Sequence, residues 1–139
     1  MEDKIKALSE YLGVDVDEIE SASYDDTVLE HYSCEYLVLT DEEADEKAMD
    51  YIKDSLWAFN ANFILSECEL DQSGAGSLRT MQEKSCESAN DFILSLVEGT
   101  CGLDEFADSA ISADGRGHFI ATYDGEEIEQ GEYFIYQTH

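Results

Sequence analysis

The charge imbalance of the chain constrains its fold more than any other feature. The 139 residues include 34 Asp and Glu against 7 Lys and Arg, which gives a formal net charge of −27 at pH 7. Any fold must spread these carboxylates over its surface. A chain of this sign also repels phosphate, which argues against direct binding of nucleic acid or of an anionic membrane. We therefore expect a partner that is a basic protein, a metal ion, or nothing charged at all.

Hydrophobic residues make up 43% of the chain, enough for the core of one domain, which we place at 1–139. The N-terminus lacks the pattern of a secretory signal, and no window is apolar enough to span a membrane, so we expect a soluble protein of the host cytoplasm. The sequence leaves a homodimer open. We expect reduced, mostly buried thiols at the four cysteines, which form no C-x-x-C pair: Cys34, Cys68, Cys86 and Cys101.

Hydrophobic periodicity and capping signals predict the elements of the first half. Residues 27–40 are rich in β-branched and aromatic side chains, and Thr40 and Glu43 have the spacing of a capping box. The predicted elements are a helix over 2–12 closed by Gly13, an acidic turn over 15–20, a hairpin of strands 27–31 and 35–40, a helix from 41 to about 59, and an offset helical piece over 60–70.

The second half is predicted to be helical and then to return to strands. The segment QSGAGS at 72–77 has the composition of a flexible loop, and Ser77 has the chemistry of a helix N-cap. The predicted elements are a long helix over 78–97 that is weak at 85–90, a short helix over 103–111, and strands 118–123 and 132–138 around a turn at 124–125. The fold class is α+β, with an antiparallel sheet of about four strands in two hairpins, packed against three to five helices.

Enzymatic and metal-binding motifs are missing from the sequence. There are three histidines, and no nucleophile elbow, phosphate-binding loop or zinc-protease motif occurs. The pair Asp15 and Asp17 does not continue as a calcium loop, because Glu20 stands where glycine is required. His31 and Cys34 lack a second pair of zinc ligands. We therefore predict a protein that is not an enzyme and holds no cofactor or metal.

The distribution of charge is the most informative functional signal. Residues 14–71 contain 18 acids against Lys47 and Lys53, a net charge of −16. On a helical wheel of 41–59, acids recur every four residues on the side opposite the apolar face, and Trp57 projects near them. For Trp57 we prefer packing against a neighbouring element to a role as an anchor of the interface, because large aromatic side chains are mostly buried. The ladder is Glu42, Glu46, Asp50 and Asp54, with Glu43 beside it, and the apolar face is Ala44, Ala48, Tyr51, Ile52, Leu56 and Phe59.

A second acidic cluster is predicted at the tip of the C-terminal hairpin. It contains Asp124, Glu126, Glu127, Glu129 and Glu132.

Like charges spaced i, i+4 on a helix cost a few tenths of a kcal/mol each, and folding alone gives no reason to accept that cost. Our hypothesis is an acidic, phosphate-like surface that occupies the nucleic-acid channel of a basic protein. The alternatives are an accessory or adaptor protein, or a halophilic protein, whose charge serves solubility only.

Two stretches resemble a group of small acidic proteins encoded by bacteriophages, prophages and other mobile elements, largely of unknown function. The first is LVLTDEEADEKA at 37–48 with YIKDSLWAFN at 51–60, and the second is ADGRGHF at 113–119 with YDGEE at 123–127. The resemblance implies a mobile-element origin, in which acidic inhibitors of host restriction and CRISPR enzymes, many of them DNA mimics, are frequent. It implies no catalytic residues. For Arg116, between two glycines, we prefer an internal salt bridge.

Overall fold

The computed structural model describes residues 2–22 and 25–139. The chain divides into two compact units: a sheet unit of Met1–Ala48 with Asp114–His139, and a helical unit of Met49–Ala113. The described residues form an α+β fold, which confirms the predicted class. No helix in the described ranges is long and apolar enough to cross a membrane.

The sheet unit begins with helix α1, Glu2–Leu12, which ends as predicted at Gly13, where φ is +71°. An antiparallel sheet follows, in the spatial order β1-β2-β3-β5-β4. Its core includes Leu8 of α1 and Leu29, Val38 and Ile135 of the sheet, all buried. The strands are β1 (Glu20–Ala22), β2 (Asp25–His31), β3 (Cys34–Leu39), β4 (Ile128–Gln130) and β5 (Tyr133–Gln137).

The predicted β2–β3 hairpin is confirmed, and the described sheet has five strands rather than about four. The additional strand is β1, which begins at Glu20, the last residue of the predicted acidic turn, and continues to Ala22. A 3₁₀ turn, Val16–Glu18, precedes it, and Ile19 is buried between the two. Glu20 faces Glu30 across the β1–β2 pair, so this strand pairs through its backbone despite like-charged side chains.

Helix α2 spans Asp41–Asp54 and ends five residues before the predicted position at about Phe59. Its predicted capping box is confirmed: the Glu43 N–H donates to Thr40 Oγ1 (3.2 Å), and the Thr40 N–H donates to Glu43 Oε1 (2.9 Å). A 3₁₀ turn, Leu56–Ala58, replaces the expected last helical turn. The Asn90 side chain makes this break favourable, because it donates to the Lys53 carbonyl (2.9 Å) and accepts from the Trp57 N–H (3.1 Å).

The helical unit continues with helices α3 (Ala61–Glu67), α4 (Ala75–Ser85), α5 (Asn90–Gly99) and α6 (Leu103–Asp114), whose last residue belongs to the sheet unit. The offset piece α3 and the short helix α6 are confirmed. Their aromatic side chains form the core: Phe106 packs 5.3 Å, between ring centroids, from both Phe59 and Phe63. Tyr51, predicted on the apolar face of the helix from 41, is instead 46% exposed, and Phe92 of α5 is 57% exposed.

The predicted loop at 72–77 is wrong. Residues Gln72–Gly74 form a 3₁₀ turn that leads directly into α4, so Ser77 lies inside the helix rather than at its N-cap. Asp71 caps the 3₁₀ turn, because its Oδ1 accepts from the Ser73 N–H at 2.8 Å. The long helix over 78–97 is also divided, at the weak stretch: Cys86 has φ +47°, and a 3₁₀ turn over Cys86–Ala89 separates α4 from α5.

The predicted strand 118–123 is also wrong, because Arg116–Ile120 forms helix α7. The strand that forms a hairpin with β5 is β4, and this hairpin turns at Gly131, where φ is +63°. Residues 124–127 therefore form a loop that precedes β4 rather than a hairpin tip. Gly117 of α7 explains the packing: a Cβ there would lie 2.6 Å from the Gly125 carbonyl oxygen and 2.9 Å from the Glu127 nitrogen.

Gly117→Ala should therefore destabilise the protein, because backbone rather than a flexible side chain occupies the space. Overpacking of this kind costs about 1–3 kcal/mol. The matched control is Gly76→Ala in α4, where nothing lies within 4 Å of the added Cβ. Helix propensity predicts a gain of about 0.5–1 kcal/mol there. Urea denaturation of both variants checks the pair, and equal midpoints would contradict the close approach at Gly117.

Candidate partner-binding surface

The four acids of the predicted ladder lie on one exposed side of α2. Glu42, Glu46, Asp50 and Asp54 are all exposed, while Ala44, Ala48 and Ile52 of the opposite side are fully buried. At about 100° and 1.5 Å per residue, successive members are about 6 Å apart along the axis and rotate by about 40°. None of the four forms a hydrogen bond or ion pair within the described ranges. We call these four residues the acidic ladder.

The other three acids of α2 are neutralised inside the sheet unit. Arg116 Nη1 lies 2.8 Å from Asp41 Oδ1 and 3.0 Å from Asp45 Oδ1. Lys4 Nζ lies 2.7 Å from Glu43 Oε1. Glu43, predicted to bind a partner, is thus engaged by its capping box and by Lys4. Burial alone would raise the pKa of Glu43, but the hydrogen bonds from Lys4 and Thr40 outweigh it and lower the pKa.

The two lysines of α2 are exposed and form no ion pair in the described part of the chain. On a helical wheel, Lys53 falls between Glu42 and Glu46, at about 20° from each. The ladder side is therefore four acids with one lysine and not acidic throughout. Lys47 falls about 20° beyond Asp54 on the wheel, just outside the range of angles that the ladder covers. The net charge of the ladder with Lys53 remains strongly negative.

Trp57 lies outside α2, so its predicted position on the wheel beside Asp50 is wrong. It belongs to the 3₁₀ turn Leu56–Ala58 and is half-buried. Its backbone N–H is held by Asn90, as described above. Trp57 therefore belongs to the junction of α2 and α5 within the helical unit, and it does not extend the ladder.

The second predicted cluster separates into exposed and engaged residues. Asp124, Glu126 and Glu129 are exposed, and Asp124 Oδ1 accepts from the Glu126 N–H at 3.0 Å, which orders the loop. Glu127 is engaged: its Oε1 accepts from Arg116 Nε at 2.8 Å and from the Tyr136 hydroxyl. Only Glu132 lies at the tip of a hairpin.

Arg116 organises the densest polar cluster of the sheet unit. Its side chain is 11% exposed, it contacts Asp41, Asp45 and Glu127, and its guanidinium lies 4.7 Å from the centre of the Phe134 ring. Burial disfavours the charge, but the hydrogen bonds with the carboxylates raise the pKa of Arg116 above its ordinary value. This confirms the internal salt bridge predicted for Arg116. Its partners in α2 are more than 70 residues away in sequence, so no local sequence pattern identifies them.

Tyr136 completes this cluster from β5. It is fully buried, and its pKa is raised by burial first and then by its hydrogen bond to Glu127. The raised pKa holds the hydroxyl in its protonated form, in which it donates to Glu127. This fixes Glu127 between one donor of β5 and one of α7, and it keeps that carboxylate away from any partner.

The four cysteines are free, and Cys68 alone is buried, so the expectation of mostly buried thiols is wrong for exposed Cys86. Among the described residues, no group of three or more His, Cys, Asp or Glu is placed to hold a metal ion. No family model matches the chain, and neither the curated proteins nor the solved structures contain a match.

Arg116→Met should lower stability, because Asp41, Asp45 and Glu127 would face one another without a cation. Breaking a buried ion pair costs about 3–5 kcal/mol, and the exposure of the two aspartates reduces this to about 2 kcal/mol. Lys47→Met removes the same charge from an exposed position without an ion pair and should change stability by less than about 0.5 kcal/mol. Chemical denaturation measures both, and equal losses would show that Arg116 acts only through net charge.

The Lys4–Glu43 pair predicts a pH-dependent effect of Glu43→Gln. Gln preserves the capping box, so the variant removes mainly the ion pair. Because the folded pKa of Glu43 is lowered, its stabilisation is present above the unfolded pKa of about 4.3 and is lost as pH falls through the folded value. The stability of wild type should exceed that of the variant by about 0.5–1 kcal/mol at pH 7, and the difference should shrink progressively as the pH falls below the unfolded pKa. Glu42→Gln, which has no ion pair to lose, should show no such pH dependence in denaturation midpoints.

Proposed function

We propose that the protein is a non-enzymatic inhibitor whose acidic ladder imitates a nucleic-acid backbone. It would occupy the nucleic-acid groove of a basic host-defence protein, a nuclease or a restriction or CRISPR effector, within the host cytoplasm. One observation carries the proposal. Two of the seven cations neutralise three acids of α2, whereas within the described part of the chain the four ladder side chains have no cation, although two lysines belong to the same helix.

The spacing of the ladder supports imitation of one DNA strand. Successive ladder carboxylates are about 6 Å apart along the helix axis, whereas successive phosphates of one DNA strand are about 3.4 Å apart along the duplex axis. The ladder therefore has one carboxylate for about every 1.8 phosphates. Both arrays wind right-handedly, the ladder at about 7° per Å and duplex DNA at about 10° per Å. A groove that tracks phosphates therefore meets carboxylates along a similar path, at lower charge density.

The energetics of α2 also favour a role for this surface. Each like-charged i, i+4 pair destabilises an isolated helix by about 0.2–0.5 kcal/mol, and Asp50 and Asp54 stand near the negative end of the helix dipole. Helix stability is thus lost in return for exposed charge. Association with a basic groove would recover that loss, and long-range attraction would accelerate the encounter at low salt.

The exposed acids of the second cluster add to the proposed surface on the sheet unit. Asp124, Glu126 and Glu129 are held on an ordered loop and the adjoining strand β4, and they have no cation among the described residues. We propose that they make a separate contact with the same class of basic partner. Glu127 is excluded from this role because it is held by Arg116 and Tyr136.

Glu46→Lys with Asp50→Lys should abolish binding to the basic partner and leave the fold intact. The control is Glu83→Lys with Glu87→Lys, which changes the net charge equally at exposed positions of the helical unit. Immobilised protein is incubated with host lysate at low salt, and bound proteins are eluted with salt, with duplex DNA, or with polyglutamate. Equal capture by both double variants would exclude the ladder.

Competition distinguishes imitation of nucleic acid from general attraction. Wild type should retain nucleic-acid-binding proteins that duplex DNA displaces at a charge concentration at which polyglutamate is ineffective, because flexible polyglutamate lacks the fixed spacing of the ladder. The retained protein should also lose binding to labelled DNA when free wild-type protein is added. Displacement by polyglutamate at the same charge concentration would contradict the proposal and favour a solubilising role for the charge.

A further inference from the structure

Two cysteines that are 33 residues apart in sequence meet at one cavity of the helical unit. The cavity has a volume of about 220 Å³ and is lined by Cys68 and Cys101 together with Glu67, Glu69, Thr100 and Glu105. Cys68 is 4% exposed, and Cys101 is half-buried. None of the lining residues is basic. The site therefore combines two thiols with three carboxylates and no compensating cation.

The ends of two helices position the thiols. After α3, the Leu70 N–H donates to the Leu65 carbonyl (2.9 Å) across Glu69, whose φ is +57°. After α5, the Gly102 N–H donates to the Val97 carbonyl (2.8 Å), where Gly102 has φ +88°. Each cysteine lies inside one of these closing turns. Both turns are hydrogen-bonded, so the cysteines are held in place by backbone.

The local field opposes thiolate formation and attracts cations. A helix C-terminus carries partial negative charge, and two of them end beside this cavity. Burial raises the pKa of the Cys101 thiol, and the neighbouring Cys68 thiol raises it further. Reagents with negative charge are repelled by the same carboxylates, and positively charged reagents are concentrated by them.

We infer that Cys68 and Cys101 form a dithiol site that reacts with cationic disulfides, of the aminothiol class, and closes as an internal disulfide. Cys101, the more exposed thiol, attacks one sulfur of the reagent as its thiolate. The reagent's S–S bond breaks, and the first aminothiol leaves and takes up a proton. Cys68, as its thiolate, then attacks Cys101 sulfur and releases the second aminothiol. Two protein thiols are oxidised to one disulfide, and the reagent is reduced to two thiols.

Cystamine and oxidised glutathione test the inference, since the first is cationic and the second anionic at pH 7. The protein used is the full chain with Cys86→Ser, which removes the exposed thiol from the tryptic peptide that contains Cys101. Cystamine should join peptides 54–79 and 85–116, which contain Cys68 and Cys101, without a retained adduct. For each disulfide reagent, the rate constant with the protein is divided by the rate constant of the same reagent with dithiothreitol. This ratio should be about tenfold larger for cystamine than for glutathione disulfide.

Two variants make the result decisive. Cys68→Ser in the same background should retain the aminothiol on Cys101, because no second thiol resolves the mixed disulfide. Glu69→Gln with Glu105→Gln should reduce the preference for cystamine, as should 1 M salt, at which the screening length is about 3 Å. Stable adducts on both cysteines of the Cys86→Ser protein would overturn the pairing. Equal relative rates for the two reagents would overturn the charge selection.

Discussion

The sheet unit depends on one buried guanidinium. Arg116 contacts carboxylates of α2 and of the loop before β4, and its guanidinium lies over the Phe134 ring of β5, so a single side chain joins the distant helix α2 to two segments that follow α7. Only arginine combines a fork of donors with a surface that stacks on an aromatic ring. The chain has only seven cations, and one of them, Arg116, is almost excluded from solvent, so its role is structural. Glycine at 117 allows the backbone of 125–127 to approach, and that approach brings Glu127 within reach.

This use of cations divides the carboxylates of α2 into two classes. Asp41, Asp45 and Glu43 are structural, since each has a cation within 3.0 Å. The acidic ladder contributes nothing of this kind, and its mutual repulsion weakens the helix that carries it. Net charge alone does not separate the two classes. The separation comes from the positions of Lys4 and Arg116, and it confines the proposed partner surface to the exposed side of the helix.

Local patterns predicted the elements whose stabilising contacts are also local. The extent of α1, the capping box at Thr40 and the β2–β3 hairpin follow from caps and periodicity within a few residues. The predictions failed where a distant side chain decides the outcome. Asn90 ends α2 at Asp54 through contacts 33 and 37 residues away, and this removed Trp57 from the predicted ladder side. Residues 118–120 of the strand predicted at 118–123 belong to helix α7, in which Gly117 packs against the backbone of 125–127, a contact that no local pattern records.

The same limit applies to the functional residues. The ladder could be read from a helical wheel because its members belong to one helix, whereas the engagement of Glu43 and Glu127 depends on Lys4 and Arg116, which approach from other segments. The thiol pair was hidden for the same reason, since Cys68 and Cys101 have no spacing signal. Both proposed sites share one physical origin. A chain with seven cations against 34 acids leaves most of its carboxylates without a cation, and these carboxylates set the sign of whatever binds. Positive charge is then selected by the extended array of side-chain carboxylates on α2 and by the enclosed field of the thiol cavity.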